Sequence, residues 1–313
     1  MLRIGCAAPR TAIAAIAVIL LVTPAIARDP LISLGQKLFS DPVLSGSGQT
    51  ACASCHDPRF DYAQPQQAGA GDNGVVGKRN APSLLDVRAF PTLMWDGRFT
   101  ALEHQVFGPF GTGEMGNSIH QAARRLHDHP DYLRLFGAAF RDRPTPDGIA
   151  RAIAAFERTL VSPISRVDRF LMNGDSRALA PMERHGLDIF LYRAKCVSCH
   201  QLFPGNARGR DARPLFSDFQ YHNIGVGYPR DPGRFALTGN PAQMGAFRTP
   251  SLRNAAATPP YMHDGSLGSL EEVVEFYNAG GNPNPNLSPG IRPLNLSERE
   301  KAALVAFLKA MER

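Results

Sequence analysis

The chain has 313 residues, 43% hydrophobic and 20% charged, which is enough apolar side chain for buried cores and too little charge for a disordered tail. Lys and Arg number 34 against 28 Asp and Glu. The formal charge of +6 falls to about +4 without Arg3 and Arg10, and no block of five or six like charges occurs, so a nucleic-acid partner is not expected.

In chain order, Met1–Ala27 reads as a cleaved secretory leader: a basic start, an apolar run from Ala12 to Val22, the helix breaker Pro24, and Ala25-Ile26-Ala27 ahead of Arg28. The run is shorter than the ~20 residues that span a bilayer, and no second one follows. Export to the periplasm without a membrane anchor is therefore expected, and Cys6 goes with the leader. A helix is expected over Leu34–Phe39, followed by Cys52-Ala53-Ser54-Cys55-His56. Ile149, Ile153, Phe156 and Leu160 recur at helical spacing and close the first half. The polar segment Asn173-Gly174-Asp175-Ser176 marks the boundary between a module over 28–174 and one over 175–313.

The second half repeats the plan. A helix over Met182–Phe190 precedes Cys196-Val197-Ser198-Cys199-His200, and Leu304, Phe307, Leu308 and Met311 form a final stripe after a capping box at Ser297 and Glu300. C-x-x-C-H is the pattern of covalent haem attachment, in which the thiols bond the haem vinyls and the adjacent histidine ligates iron. Redox-active or zinc-binding C-x-x-C sites are the alternative for a single copy. Two full copies that use every cysteine after the leader predict two covalently bound c-type haems.

A second repeat is independent of the cysteines. Asn80-Ala-Pro-Ser-Leu84 matches Arg248-Thr-Pro-Ser-Leu252 at an offset of 168 residues, as do Met94-Trp-Asp-Gly97 and Met262-His-Asp-Gly265, and Leu102-Glu103 and Leu270-Glu271. The haem motifs are offset by 144, so the second half carries 24 extra residues, within Phe203–Gly245, expected over a haem edge or an interface. No strand-like alternation appears. The fold class is mainly α: two tandem c-type cytochrome-like domains, each binding one covalent haem.

A haem that only carries electrons has both axial positions filled, whereas one that does chemistry keeps a position open. The offset of 168 sets Pro109 opposite Tyr277. If both lie over the iron, a proline that cannot ligate leaves the first haem open and a phenol closes the second.

Leu34-Gly-Gln-Lys-Leu-Phe39, Cys52-Ala-Ser-Cys-His-Asp-Pro58, Gly77-Lys-Arg-Asn-Ala-Pro-Ser-Leu84, Trp95-Asp-Gly-Arg98, Glu114-Met-Gly116, Phe156-Glu-Arg-Thr-Leu160 and Pro260-Tyr-Met-His-Asp-Gly265 together resemble the bacterial di-haem cytochrome c peroxidase and MauG family. The resemblance implies a peroxide site at the N-terminal haem and an electron-transfer haem in the C-terminal half. It places the only tryptophan, Trp95, between them as a relay. Gln105, Pro109 and Glu114 would line the first distal pocket, with Glu114 moving a proton from one peroxide oxygen to the other so that water leaves. Tyr277 would be the distal ligand of the second haem, and Met262 is the alternative. A calcium ion between the haems would use Asn80, Thr258 and Pro260, oxygen donors suited to that ion.

Two departures stand out. Peroxidases of the family carry a blocking histidine after the first haem motif, and Asp57–Asn80 contains none; they also use a methionine ligand where Tyr277 stands, and Ser266–Gly290 contains none. Both point away from reductive activation. The expected activity is reduction of hydrogen peroxide with electrons from an external protein donor. A MauG-like oxidase acting on Trp or Tyr of a partner protein and a di-haem electron carrier are the alternatives. His222 and His263 fall in family-like segments, as propionate contacts or structural histidines.

Overall fold

The computed structural model describes residues 29–202 and 213–312. The expected leader and part of the insertion lie outside the described residues.

The first half opens with α1 (Pro30–Ser40), where the Asp29 carboxylate accepts from the Leu31 amide at 2.8 Å and Pro30 takes a first-turn position that needs no N–H. The attachment turn α2 (Cys52–Cys55) follows, then α3 (Leu102–Gln105), α4 (Gly108–Gly111), α5 (Ile119–Leu126), α6 (Pro130–Phe140) and α7 (Pro146–Glu157). The second half holds α8 (Arg166–Asn173), α9 (Pro181–Asp188), α10 (Phe235–Thr238), α11 (Leu270–Asn278) and α12 (Glu298–Lys309). β1 (Tyr221–His222) and β2 (Phe247–Arg248) form a two-residue antiparallel pair. No described helix is long and apolar enough to cross a membrane.

Each half is built on one close helix crossing. A Cβ on Gly35 of α1 would stand 1.9 Å from the Ala152 carbonyl oxygen of α7, and one on Gly186 of α9 would stand 2.0 Å from the Ala303 carbonyl oxygen of α12. Glycine is required because the backbones touch. The contact repeats one turn on: Phe39 meets Phe156 at 5.2 Å between ring centroids, and Phe190 meets Phe307 at 5.3 Å. These pairs share an offset of 151 residues that the motif alignment did not reveal. The helices are shifted against the loops because the halves differ in the loop before the haem motif and in the helices before α7.

The expected helices are present, with shifted ends. Leu160 lies beyond α7, and Met311 lies beyond α12, whose Ser297–Glu300 box is formed with Ser297 N–H donating to Glu300 at 2.8 Å. α9 continues to Arg193 through a wider turn, closed by the Ala194 amide on the Ile189 carbonyl at 2.8 Å. α5 and α6 were not foreseen. The polar segment 173–176 does separate α8 from α9, yet Val167 of α8 belongs to the second core, so the two cores part ahead of α8.

The halves are joined by buried charge. Arg253, 6% exposed, forks Asp168 at 2.8 and 2.6 Å and donates to Ser162 Oγ, Pro163 O and Pro214 O. Asp86 accepts from the Ser162 amide and hydroxyl and lies 3.4 Å from Arg213. Breaking one member of such a set strands the rest without water.

Two predictions follow from the packing. Gly35→Ala and Gly186→Ala should each cost about 1–3 kcal/mol or more through overpacking. Gly137→Ala, in α6 with nothing within 4 Å of a new Cβ, should be neutral or gain up to ~1 kcal/mol. Denaturant unfolding of the haem-loaded protein separates the two outcomes. The second concerns Glu157, 4% exposed, whose Oε2 has no hydrogen-bond partner and whose carboxyl burial pushes up to about 8. It stays protonated in the folded chain where an unfolded glutamate is ionised, so it makes stability fall as pH rises from the ordinary glutamate value to about 8. Glu157→Gln should flatten that slope between about pH 5 and about pH 8.5; midpoints that keep the wild-type slope would refute the assignment.

Candidate active site

The two Cys-x-x-Cys-His segments are short turns held by their own serines. The Ala51 amide donates to Ser54 Oγ at 3.0 Å, and Ser198 Oγ donates to Lys195 O at 2.8 Å. His56 Nδ1 lies 3.1 Å from both Tyr62 O and Pro82 O, and His200 Nδ1 lies 2.9 Å from Phe216 O. A carbonyl oxygen can only accept, so the proton sits on Nδ1 and the Nε2 lone pair is left for iron. Burial holds both histidines below the ordinary value and therefore neutral, the ligating form. Pro82 and Pro250 occupy the same place in the two Pro-Ser-Leu repeats; the Pro82 carbonyl bonds His56, and the Pro250 carbonyl lies near enough to His200 to favour its protonated form. That is the physical content of the repeat.

The thiols fit the same reading. Burial pushes Cys52 and Cys196 up to about 12, so both are uncharged thiols at neutral pH rather than activated thiolates. Gly69 leaves room at Cys55, since a Cβ there would stand 2.7 Å from its sulfur. The donor set therefore suits covalent haem at both places. Cys199, Asp218 and His222 also offer donor atoms within 4.8 Å of one another, but a metal there would need the Cys199 sulfur that the haem motif uses. His222 Nε2 pairs with Asp218 at 2.9 Å.

The two sites differ on the face that the repeat brings together. In the first half the chain breaks into α3 and α4, with Gln105 ending one and Pro109 inside the other. Gln105 Nε2 lies 3.8 Å from Met94 Sδ. The Glu114 charge is felt at Cys55, after burial the second cause that raises that thiol, and a Cβ on Gly77 would stand 3.8 Å from Glu114 Oε1. In the second half α11 is continuous, and Tyr277 lies close enough to Cys196 and Cys199 that, after burial, they push its hydroxyl up. The charge of a carboxylate is thus felt at one attachment site, and a buried phenol lies within the influence of the other. Met94 and Met262 share a left-handed turn position, at φ 66° and 71°, between the bridges Leu93–Phe99 and Tyr261–Leu267. This equivalence gives the two methionines one structural role.

Trp95 sits where the halves meet. Its indole N–H donates to Asn80 O at 2.8 Å, its own carbonyl accepts from the Arg248 amide at 2.8 Å, and its ring lies edge-on to His263 at 6.4 Å. His263 stacks on Phe247 at 3.6 Å, and burial holds its imidazole below the ordinary value. Arg79 clamps this junction, reaching Asp96 at 2.6 Å and forking Asp231 at 2.7 and 2.8 Å. Arg234 donates to the carbonyls of Asp96 and Gly97 at 2.8 and 2.9 Å. Asp231 and Arg234 come from the insertion, whose described part therefore lies on the interface. Sequence reading passed over these residues. Arg79 and Asp96 lie inside the family-like segments 77–84 and 95–98, but Asp231 and Arg234 have no repeat mate and gave no signal.

Asn80 Nδ2 donates to Gln66 O at 2.9 Å and Gln64 O at 3.3 Å, which turns its amide oxygen to the other side, and its N–H donates to His263 O at 2.8 Å. The structure thereby joins Asn80 to the loop that carries Pro260. The Thr258 hydroxyl is spent on Ala255 O at 3.3 Å, leaving its carbonyl as the donor.

Residues 29–177 match the family model described as di-haem cytochrome c peroxidase. The chain is 37% identical to the methylamine utilization protein MauG of Methylorubrum extorquens, over 90% of this chain and 78% of that protein. It is 34% identical to the cytochrome-c peroxidase IdrP1 of Denitromonas iodatirespirans, over 90% of this chain and 81% of that one. A solved MauG-like protein associated with microbial copper homeostasis superposes with a TM-score of 0.80 at 33% identity, covering 91% of this chain and 89% of the other. The chain belongs to the di-haem cytochrome c peroxidase family and is an oxidoreductase of the peroxidase type.

Proposed function

We propose that the protein is a periplasmic di-haem c-type peroxidase that reduces hydrogen peroxide to water with electrons from an external protein donor such as a small cytochrome c or a cupredoxin. One observation carries this reading: where α11 runs on to Tyr277, the first half breaks between α3 and α4 and sets Pro109 at the equivalent position, while the Glu114 carboxylate lies against Gly77 of the loop after the first haem motif. Haem held by Cys52, Cys55 and His56, and by Cys196, Cys199 and His200, would supply the redox chemistry. Pro109 keeps the first face free of a protein ligand. Gln105 orients the oxidant by hydrogen bonding, and Glu114 carries a proton from one peroxide oxygen to the other, making water the leaving group. Trp95 passes the oxidising equivalent between the halves. Asn80 with the carbonyls of Thr258 and Pro260 would hold calcium and stiffen the junction. The leader-like Met1–Ala27 supports export.

Tyr277 favours a second reading, in which the same machinery oxidises a Trp or Tyr side chain of a partner protein, as the likeness to MauG suggests. A pure electron carrier is disfavoured because Pro109 cannot ligate.

The absence of a histidine in 57–80 gives a direct expectation. Electron paramagnetic resonance of the oxidised protein should show one high-spin and one low-spin haem, and peroxide should react without prior reduction. Tyr277→Phe should abolish the low-spin signal; an unchanged signal would reject Tyr277 as a ligand.

Glu114→Gln should slow the reaction with peroxide by ~10²–10⁴-fold. Trp95→Phe should leave that first step largely intact and slow oxidation of the donor. Stopped-flow spectra that resolve the two haems measure both, and equal slowing of one step by both changes would overturn the division of roles.

A further inference from the structure

We propose that Asp72 is a positioning residue for Glu114: it staples the loop after the first haem motif to the glycine-rich segment that carries the proton-moving carboxylate. The proposal rests on the proton-transfer role given to Glu114 above.

Three loops meet at the Asp72 carboxylate, which is 1% exposed. The Ser47 amide donates to Oδ2 at 2.9 Å, the Ser47 hydroxyl donates to Oδ1, and Asn73 Nδ2 donates to Oδ2 at 3.1 Å. The Asp72 amide donates to the Glu114 carbonyl at 2.7 Å. One residue thus binds 45–50 through its side chain and 113–116 through its backbone. The Gly46 amide closes the ring by donating to Met115 O at 2.8 Å. The hydrogen bonds, that from the Ser47 hydroxyl first, hold the carboxyl below its ordinary value, so it is ionised and acts only as an acceptor.

Three glycines show how tightly the ring is drawn. A Cβ on Gly116 would stand 2.0 Å from Asp72 Oδ2, one on Gly46 would stand 2.4 Å from Gly116 O, and one on Gly71 would stand 2.6 Å from Glu114 O. Gly116, at φ 66°, also needs the left-handed region. Arg125 holds the far side of the ring, donating to Val43 O and Gly46 O at 3.0 Å each. Within the loop, Gly71 N–H donates to Val75 O at 2.6 Å and Gly77 N–H to Gly69 O at 3.0 Å. Gly77 brings this loop to the Glu114 carboxylate, and Gly69 brings it to the Cys55 sulfur. The carboxylate and the attachment site are therefore referenced to each other through Asp72, and a shift of the staple displaces Glu114.

The test is a double-mutant cycle on the haem-loaded protein. The second-order rate constant for hydrogen peroxide should fall ~10-fold in Asp72→Ala, since a misplacement of ~1 Å costs up to ~10². In the Glu114→Gln background the same change should alter the rate by less than about twofold, because both act through one step. Asp72→Asn keeps acceptor capacity toward Ser47 and should recover most of the rate. Ser47→Ala, which removes only a hydroxyl, carries the cycle if Asp72→Ala does not fold. Hydrogen exchange gives a readout apart from activity: amides in 69–77 and 113–116 should exchange faster in Asp72→Ala while those of α1 and α7 do not change. An equal loss of rate in both backgrounds, or unchanged exchange in those two segments, would overturn the role of Asp72. A slow Glu114→Gln with a normal Asp72→Ala would sink this proposal alone. A Glu114→Gln protein that reacts normally would sink the role of Glu114 instead.

Discussion

The architecture turns on a hydrogen bond from an imidazole to a backbone carbonyl. His56 gives its Nδ1 proton to the carbonyls of Tyr62 and Pro82, and His200 gives its own to that of Phe216. A carbonyl is a one-way partner, so each bond settles which nitrogen holds the proton and which way the ring faces. For the Pro82 acceptor to be in place, the first Pro-Ser-Leu segment must lie against the haem motif. That in turn sets where the Met-x-Asp-Gly turn, and with it Trp95, can go. The repeat survives in these segments because each performs the same task in both halves.

Elsewhere the halves differ. α11 runs unbroken to Tyr277, while its counterpart is split into α3 and α4 around Phe107, with Pro109 in the second turn. Past α4, Gly113 and Gly116 leave residues 112–116 as a thin loop. That loop holds a carboxylate near Cys55 only because neighbouring loops fix it, since α4 has four residues and no side-chain cap. The site is consequently made of loops stapled by hydrogen bonds, resting on two helix crossings that glycine makes rigid.

The junction is polar where a core would be apolar. Arg79, Asp96 and Asp231 on one side form a half-buried charge set, and Arg253, Asp168 and Asp86 on the other a buried one, whose strength lies in geometry more than net stabilisation. Arg248, pushed down to about 10 by burial, lies over the ring of Phe90 at 5.0 Å while donating its amide to Trp95. A junction of this kind specifies one relative placement of the halves. An electron path through Trp95 requires such fixity, because the tryptophan touches residues of both.

Much of this was legible in the sequence. Cys52, Cys55 and His56, their second copy, and the repeat at 168 residues are local patterns whose chemistry follows from spacing. The helices at either end of each half announced themselves by period, because an amphipathic face is written in the order of side chains. The helix crossing was not legible, although Gly35 and Gly186 stood within the expected helices: a close approach depends on the partner backbone, over a hundred residues away. Nor was the clamp of Arg79 by Asp231, or the ring around Asp72, visible. These are contacts between charges or loops with no periodicity, and only the folded chain brings them together. The sequence by itself determined which groups could do the chemistry, since covalent pattern and side-chain type are local. The tertiary structure decided which of them face each other, because distance in space is set by how the helices pack and where the loops are pinned.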